Sequence, residues 1–169
     1  PTPLRKRRRL FSSKHITSCM LNWWKKHPFL SPAQADALVQ VLQEQEQHTS
    51  GEIRLFMERH CAYMNPMDRA RDVFYALQMH KTRHRNAVLI YIAYLDQDFA
   101  LLADQGIFTK VAPAFWKEQI RLLHRAFSQR QHEEGIRQCI IHTGEELKRY
   151  YPPEAGKQNE LDDEIVWGR

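Results

Sequence analysis

A mostly helical α/β domain is the reading of these 169 residues, and it rests on two observations. Residues 88–95, VLIYIAYL, are apolar or aromatic throughout and rich in strand-favouring types, as expected of a central strand covered on both faces. Around that run, apolar residues recur at helical spacing in five further segments, two of which begin with clear helix-start signals.

From the N terminus, residues 1–28 read as a basic arm followed by a short helix. RKRRR (5–9) is a dense block of like charge without an apolar face, fit for a solvated arm or for contact with phosphate or anionic lipid. Ile16, Cys19, Met20, Trp23 and Trp24 then recur at helical spacings, as a helix docking its Trp pair on the body or as a membrane-surface element. Residues 1–27 carry eight Lys or Arg and no acid, so the remainder is slightly acidic.

Ser31, Pro32 and Gln34 form a capping-box pattern, which predicts a helix to about residue 48 burying Ala35, Leu38, Val41 and Leu42. Residues 53–58 read as a strand. Asn65, Pro66 and Asp68 repeat the capping arrangement and predict a helix over 66–80 that buries Ala70, Val73, Phe74 and Leu77. A strand, helix, strand order makes 53–58 and 88–95 parallel partners through a right-handed crossover. The DQD turn at 96–98 returns a short strand over 99–103, antiparallel to the central one. Pro113 opens a helix carrying Phe115, Trp116, Ile120, Leu123 and Phe127; a last helix spans 132–150 and stops before Pro152 and Pro153. The predicted division is thus a 1–28 arm, a 29–150 domain and a 151–169 acidic extension, with Leu161, Ile165 and Trp167 as anchors for the last.

This topology brings scattered polar residues together. Glu52 precedes one parallel strand, Arg85 and Asn86 precede the other, and the antiparallel return delivers Asp104 to the same end of the sheet. Glu52, Asn86 and Asp104 are therefore the candidate ligands for a hard divalent cation, calcium or magnesium. Arg85, with Arg54 if it faces the same way, is the candidate anion-binding group. A salt-bridged sheet end explains the same residues without a ligand. Asp162 and Asp163, with Glu164, form a second acidic group that is either a solvated tail or a flap over the first site. Asp96 and Asp98 lie at the opposite end, where a hairpin turn accounts for them.

Several chemistries lose support. Cys19, Cys61 and Cys139 form no CxxC pair, and the histidines at 60, 80, 84, 124, 132 and 142 show no HExxH spacing. GxSxG, GxxxxGK[ST] and GxGxxG patterns are missing, so neither a catalytic residue nor an organic cofactor is assigned. The first thirty residues have no apolar run of signal-peptide length, and no segment reaches the length of a membrane span, so a cytoplasmic setting is expected. Specific nucleic-acid binding is not expected of the net acidic body.

Taken in order, TSGEIRLFMERH (49–60), RNAVLIYIAYLDQDFALLADQGI (85–107), FWKEQI (115–120), EGIRQCI (134–140) and NELDDEI (159–165) resemble the TPM domain family, often called TPM phosphatase domains, and in particular its small bacterial branch without signal peptide or membrane helix. That resemblance implies a three-layer α/β/α sandwich with a small mixed central sheet in a Rossmann-like arrangement. Members are similar to acid phosphatases, bind divalent cations including calcium, or assist membrane-protein assembly and turnover. By resemblance, Glu52 in TSGE, Asn86 in RN and Asp104 in DQGI carry the family positions, matching the group found from topology. Ala87 replaces the glycine common after that Asn, and HPFLSP replaces the Asp-rich opening of the secreted members. Three functions follow as expectations: a cation-binding domain with a structural or regulatory role, a metal-dependent phosphomonoesterase, and an adaptor for a protein or an anionic membrane surface working through residues 5–26.

Overall fold

A computed structural model describes residues 29–63, 65–154 and 164–168. The arm at 1–28 and the pair Asp162 and Asp163 lie outside the described residues. Helix α1 spans Pro32–Gln47, strand β1 Glu52–Glu58, helix α2 Pro66–Ala76, strand β2 Ala87–Ala93 and strand β3 Asp98–Ala103. A one-turn helix α3 (Gln105–Phe108), helices α4 (Pro113–Ser128) and α5 (His132–Tyr150), and a two-residue strand β4 (Val166–Trp167) follow.

The strand order is β3-β2-β1-β4, with β1 parallel to β2 and β4 and β3 antiparallel to β2. Period-two alternation sends Ile53, Leu55 and Met57 of β1 and Val88, Ile90 and Ile92 of β2 into one core, beneath α1, α4 and α5. Phe56, Ala87, Leu89, Tyr91 and Ala93 face the other core, beneath α2. Every residue of β1 and β2 is buried, as the unbroken apolar run of β2 requires of a sheet covered on both sides. The result is the expected α/β/α sandwich with a mixed sheet.

Local chemistry sets the helix starts. The Ser31 hydroxyl accepts from the Gln34 N–H at 3.3 Å while the Gln34 side chain accepts from the Ser31 N–H at 2.8 Å, completing the capping box. Asn65 caps α2 by accepting from the Met67 N–H at 2.9 Å. The expected extent of α2 needs correcting: it ends at Ala76 rather than continuing to 80. Gln78 takes a left-handed conformation, φ 58°, and a 3-10 turn over Met79–Lys81 drives Met79 completely into the second core. Burying that side chain is worth about 1.5–3 kcal/mol, enough to redirect a fraying helix end. Strand β4 pairs with Phe56 and Met57, so Trp167 belongs to the sheet rather than lying loosely across the body.

Candidate functional site

The two parallel strands start together, with Glu52 opposite Ala87. Val88 faces Ala103 across the hairpin, and the Asp104 N–H then donates to the Ala87 carbonyl at 2.9 Å. Glu52, Asn86 and Asp104 consequently lie at one end of the sheet, all buried. Asn86 ties the two strand starts together by donating its side-chain N–H to the Ser50 carbonyl at 3.2 Å.

Asp104 does two further things. Its Oδ1 accepts the Gln105 N–H at 2.8 Å, capping α3. Arg85, in a left-handed conformation at φ 52°, then grips the same carboxylate in a fork, Nε to Oδ2 at 2.7 Å and Nη2 to Oδ1 at 2.8 Å. The carboxylate raises the guanidinium's affinity for its proton, chiefly through that hydrogen bond. Gly106 permits the close fit: its N–H donates to the Arg85 carbonyl at 2.8 Å, and a Cβ there would stand 2.3 Å from the His84 carbonyl oxygen. Arg85 is thus brought to the site as expected, paired with Asp104.

Arg54 is buried two residues beyond Glu52 on the same side of β1, facing the α2 layer. Neither it nor Glu52 is without a partner. The structure therefore places Glu52, Asn86 and Asp104 at the same end of the sheet, with Arg85 bound to Asp104 and Ala87 between the Glu52 and Asp104 positions. Asp96, at the opposite end, accepts from His60 Nδ1 and the Cys61 N–H, both at 2.7 Å, in keeping with a turn residue. These two bonds, His60's first, hold its carboxyl below the usual aspartate range. His60 is thereby engaged with Asp96 rather than with the thiol beside it in sequence, and burial pushes the Cys139 thiol up to about 12.

Two groups escaped the sequence reading. Glu46, in the last turn of α1, reaches the start of β1 and accepts the Ile53 N–H at 2.8 Å. At the far end of the same strand Glu58 is almost wholly buried, with Arg69 bound through Nε at 2.8 Å and Nη2 at 2.7 Å and the Tyr91 hydroxyl at 2.6 Å. An acid closing a strand whose neighbours are all apolar was the available signal for Glu58; its partners stand 11 and 33 positions away.

The donor set at the first end suits a hard cation in kind, with two carboxylates and an amide oxygen. Among the described residues no group of three or more His, Cys, Asp or Glu side chains could hold a metal, so such an ion would depend on the Asn86 oxygen and on water. Arg85 already neutralises Asp104, and a cation must compete with it.

A family profile described as the TPM domain matches residues 26–146. Among solved structures, the NMR structure of BA42 protein from the psychrophilic bacterium Bizionia argentinensis is 33% identical, with a TM-score of 0.77 over 85% of this chain and 98% of that one. The N-terminal domain of the cg2496 protein from Corynebacterium glutamicum, 11% identical with a TM-score of 0.51 over 72% of this chain and 76% of that one, shares the fold. Among curated proteins there is no significant match. No helix among the described residues is long and apolar enough to cross a membrane.

Proposed function

The chain belongs to the TPM domain family, and on that premise we propose that it binds a divalent cation, calcium or magnesium, at the sheet end bearing Glu52, Asn86 and Asp104, in a structural or regulatory role. What supports this reading is that two buried carboxylates and a buried amide side chain lie at the same end of the sheet. Calcium accepts six to eight oxygen ligands and magnesium keeps several of its waters, so three protein oxygens suffice only with solvent completing the shell. Glu52 and Asp104 supply charge, and Asn86 supplies a neutral oxygen held in place by its bond to Ser50. Arg85 is the built-in competitor: its guanidinium balances Asp104 until a cation takes over.

Calorimetric titration of chelator-stripped protein with calcium and then magnesium tests the reading. Saturable heat is expected, abolished in Glu52→Gln and Asp104→Asn and strengthened in Arg85→Gln, where the competing charge is gone. Silence from both the wild type and Arg85→Gln, in proteins that melt cooperatively, overturns it. Phosphomonoester hydrolysis is the second reading for this end, favoured only by the presence of Arg85. It requires metal-dependent turnover that disappears in both carboxylate variants.

A further inference from the structure

We propose that the face around residues 80–85 and α3 docks on the surface of an anionic phospholipid bilayer. The segment HKTRHR (80–85) runs from the 3-10 turn to the start of β2 and exposes Lys81, Arg83 and Arg85 while Thr82 is buried. Helix α3 lies directly against it, since Gly106 touches the carbonyls of His84 and Arg85. From that helix Phe108 projects with 56% of its surface exposed, and Tyr75, its ring tilted against His80 with centroids 5.1 Å apart, is 57% exposed. Lys110 closes the rim, its ammonium 4.1 Å from the centre of the Tyr151 ring, which in turn neighbours the His84 ring.

Four cations stand on this face, Lys81, Arg83, Arg85 and Lys110, against the carboxylates of Asp104 and Glu154, the latter 3.6 Å from Arg83 and 3.0 Å from His84. The chain from residue 28 onward is net acidic, so this face departs from its surroundings in sign. A small anion would account for the cations but leave the two exposed rings unused. A bilayer interface uses both: phosphates pair with Lys and Arg, and Phe and Tyr rings enter the headgroup boundary. The eight basic residues and the Trp pair within 1–27 bring the same chemistry from elsewhere in the chain, and although the face shares Arg85 and Asp104 with the proposed cation end, the positions varied below lie outside it.

Full-length protein is sedimented with vesicles of phosphatidylcholine alone and of phosphatidylcholine mixed with phosphatidylglycerol. Binding to the mixed vesicles only, weakening with salt, is expected. Each basic residue near an anionic surface strengthens binding about fivefold, so Lys81→Glu/Arg83→Glu/Lys110→Glu should weaken it by about a hundredfold or more with the arm intact. Phe108→Ser should weaken it several-fold without changing the net charge, an effect that a purely ionic contact would not give. Thermal melts of each variant check the fold; because all four positions are exposed, melts close to wild type are expected. Wild-type binding by the triple variant, with loss instead in Arg7→Glu/Arg8→Glu, assigns the membrane to the arm and overturns the proposal. Displacement from vesicles by a DNA oligonucleotide at equal phosphate concentration, or indifference to Phe108→Ser, also overturns it.

Discussion

The two ends of the sheet carry the same pairing in different settings. Before β2, Arg85, 48% exposed, grips Asp104, 5% exposed; at the finish of β1, Arg69, 26% exposed, grips Glu58, 2% exposed, with the Tyr91 hydroxyl on the same carboxylate. Water can solvate a released Arg85, so that pair is exchangeable. Glu58 has no such alternative. Even Gly168 leaves no room beside it, since a Cβ there would come within 2.6 Å of the Glu58 Oε2. In open α/β sheets ligands ordinarily bind beyond the carboxyl ends of the parallel strands. Here that end is filled by the Glu58, Arg69 and Tyr91 network, and the half-exposed Arg85 stands at the opposite end.

Removing one guanidinium from each end should separate the two roles most sharply. Arg69→Ala leaves a buried carboxylate without its partner and should cost about 3–5 kcal/mol, read as a fall in the urea midpoint. Arg85→Ala should lower stability much less, and equal losses in the two variants would erase the distinction. A Glu58→Gln/Arg69→Met double variant should recover part of the loss, because the uncompensated charge is gone. Gly106→Ala comes next, at about 1–3 kcal/mol: its new Cβ meets backbone carbonyls rather than a flexible side chain. Tyr91→Phe, losing only the hydroxyl's bond to Glu58, should cost about 1–2 kcal/mol in the same denaturation experiment.

The residues legible in the sequence are those whose signal is local or periodic. Ser31, Gln34, Asn65 and Pro66 announce their helices within one turn, and the apolar run at 88–95 identifies the central strand. That Glu52, Asn86 and Asp104 share one end of the sheet is legible too, because parallel pairing of two strands and one hairpin determine which ends coincide. What escaped depends on contacts that no short window contains. Arg69 reaches Glu58 from the adjoining helix, and Tyr91 reaches it across the sheet, so neither polar residue looks different from a surface Arg or a core Tyr. The break in α2 escaped for a similar reason. Residues 77–80 fit helical spacing, and the burial of Met79 beside a left-handed Gln78 is a feature of the folded core that no local window contains. Arg85 was placed correctly, but its fork on Asp104 requires the backbone turn at φ 52° and the absent side chain of Gly106.

The smallest effect belongs to the hairpin turn beside the buried network. Asp96 is held below the usual aspartate range by His60 first and by the Cys61 N–H second, so it binds protons less readily folded than unfolded. Its contribution is therefore complete above the pH at which an unfolded aspartate ionises and is lost as pH falls through the depressed folded value. Because its side chain is 32% exposed, solvent screens the pair with His60, and the contribution is modest. Urea midpoints of wild type and Asp96→Ala should differ slightly at pH 7 and converge as acid protonates the carboxyl. A gap that persists at the acidic end would mean that the turn is held by backbone geometry, with Gln97 already left-handed at φ 55°, rather than by the charge.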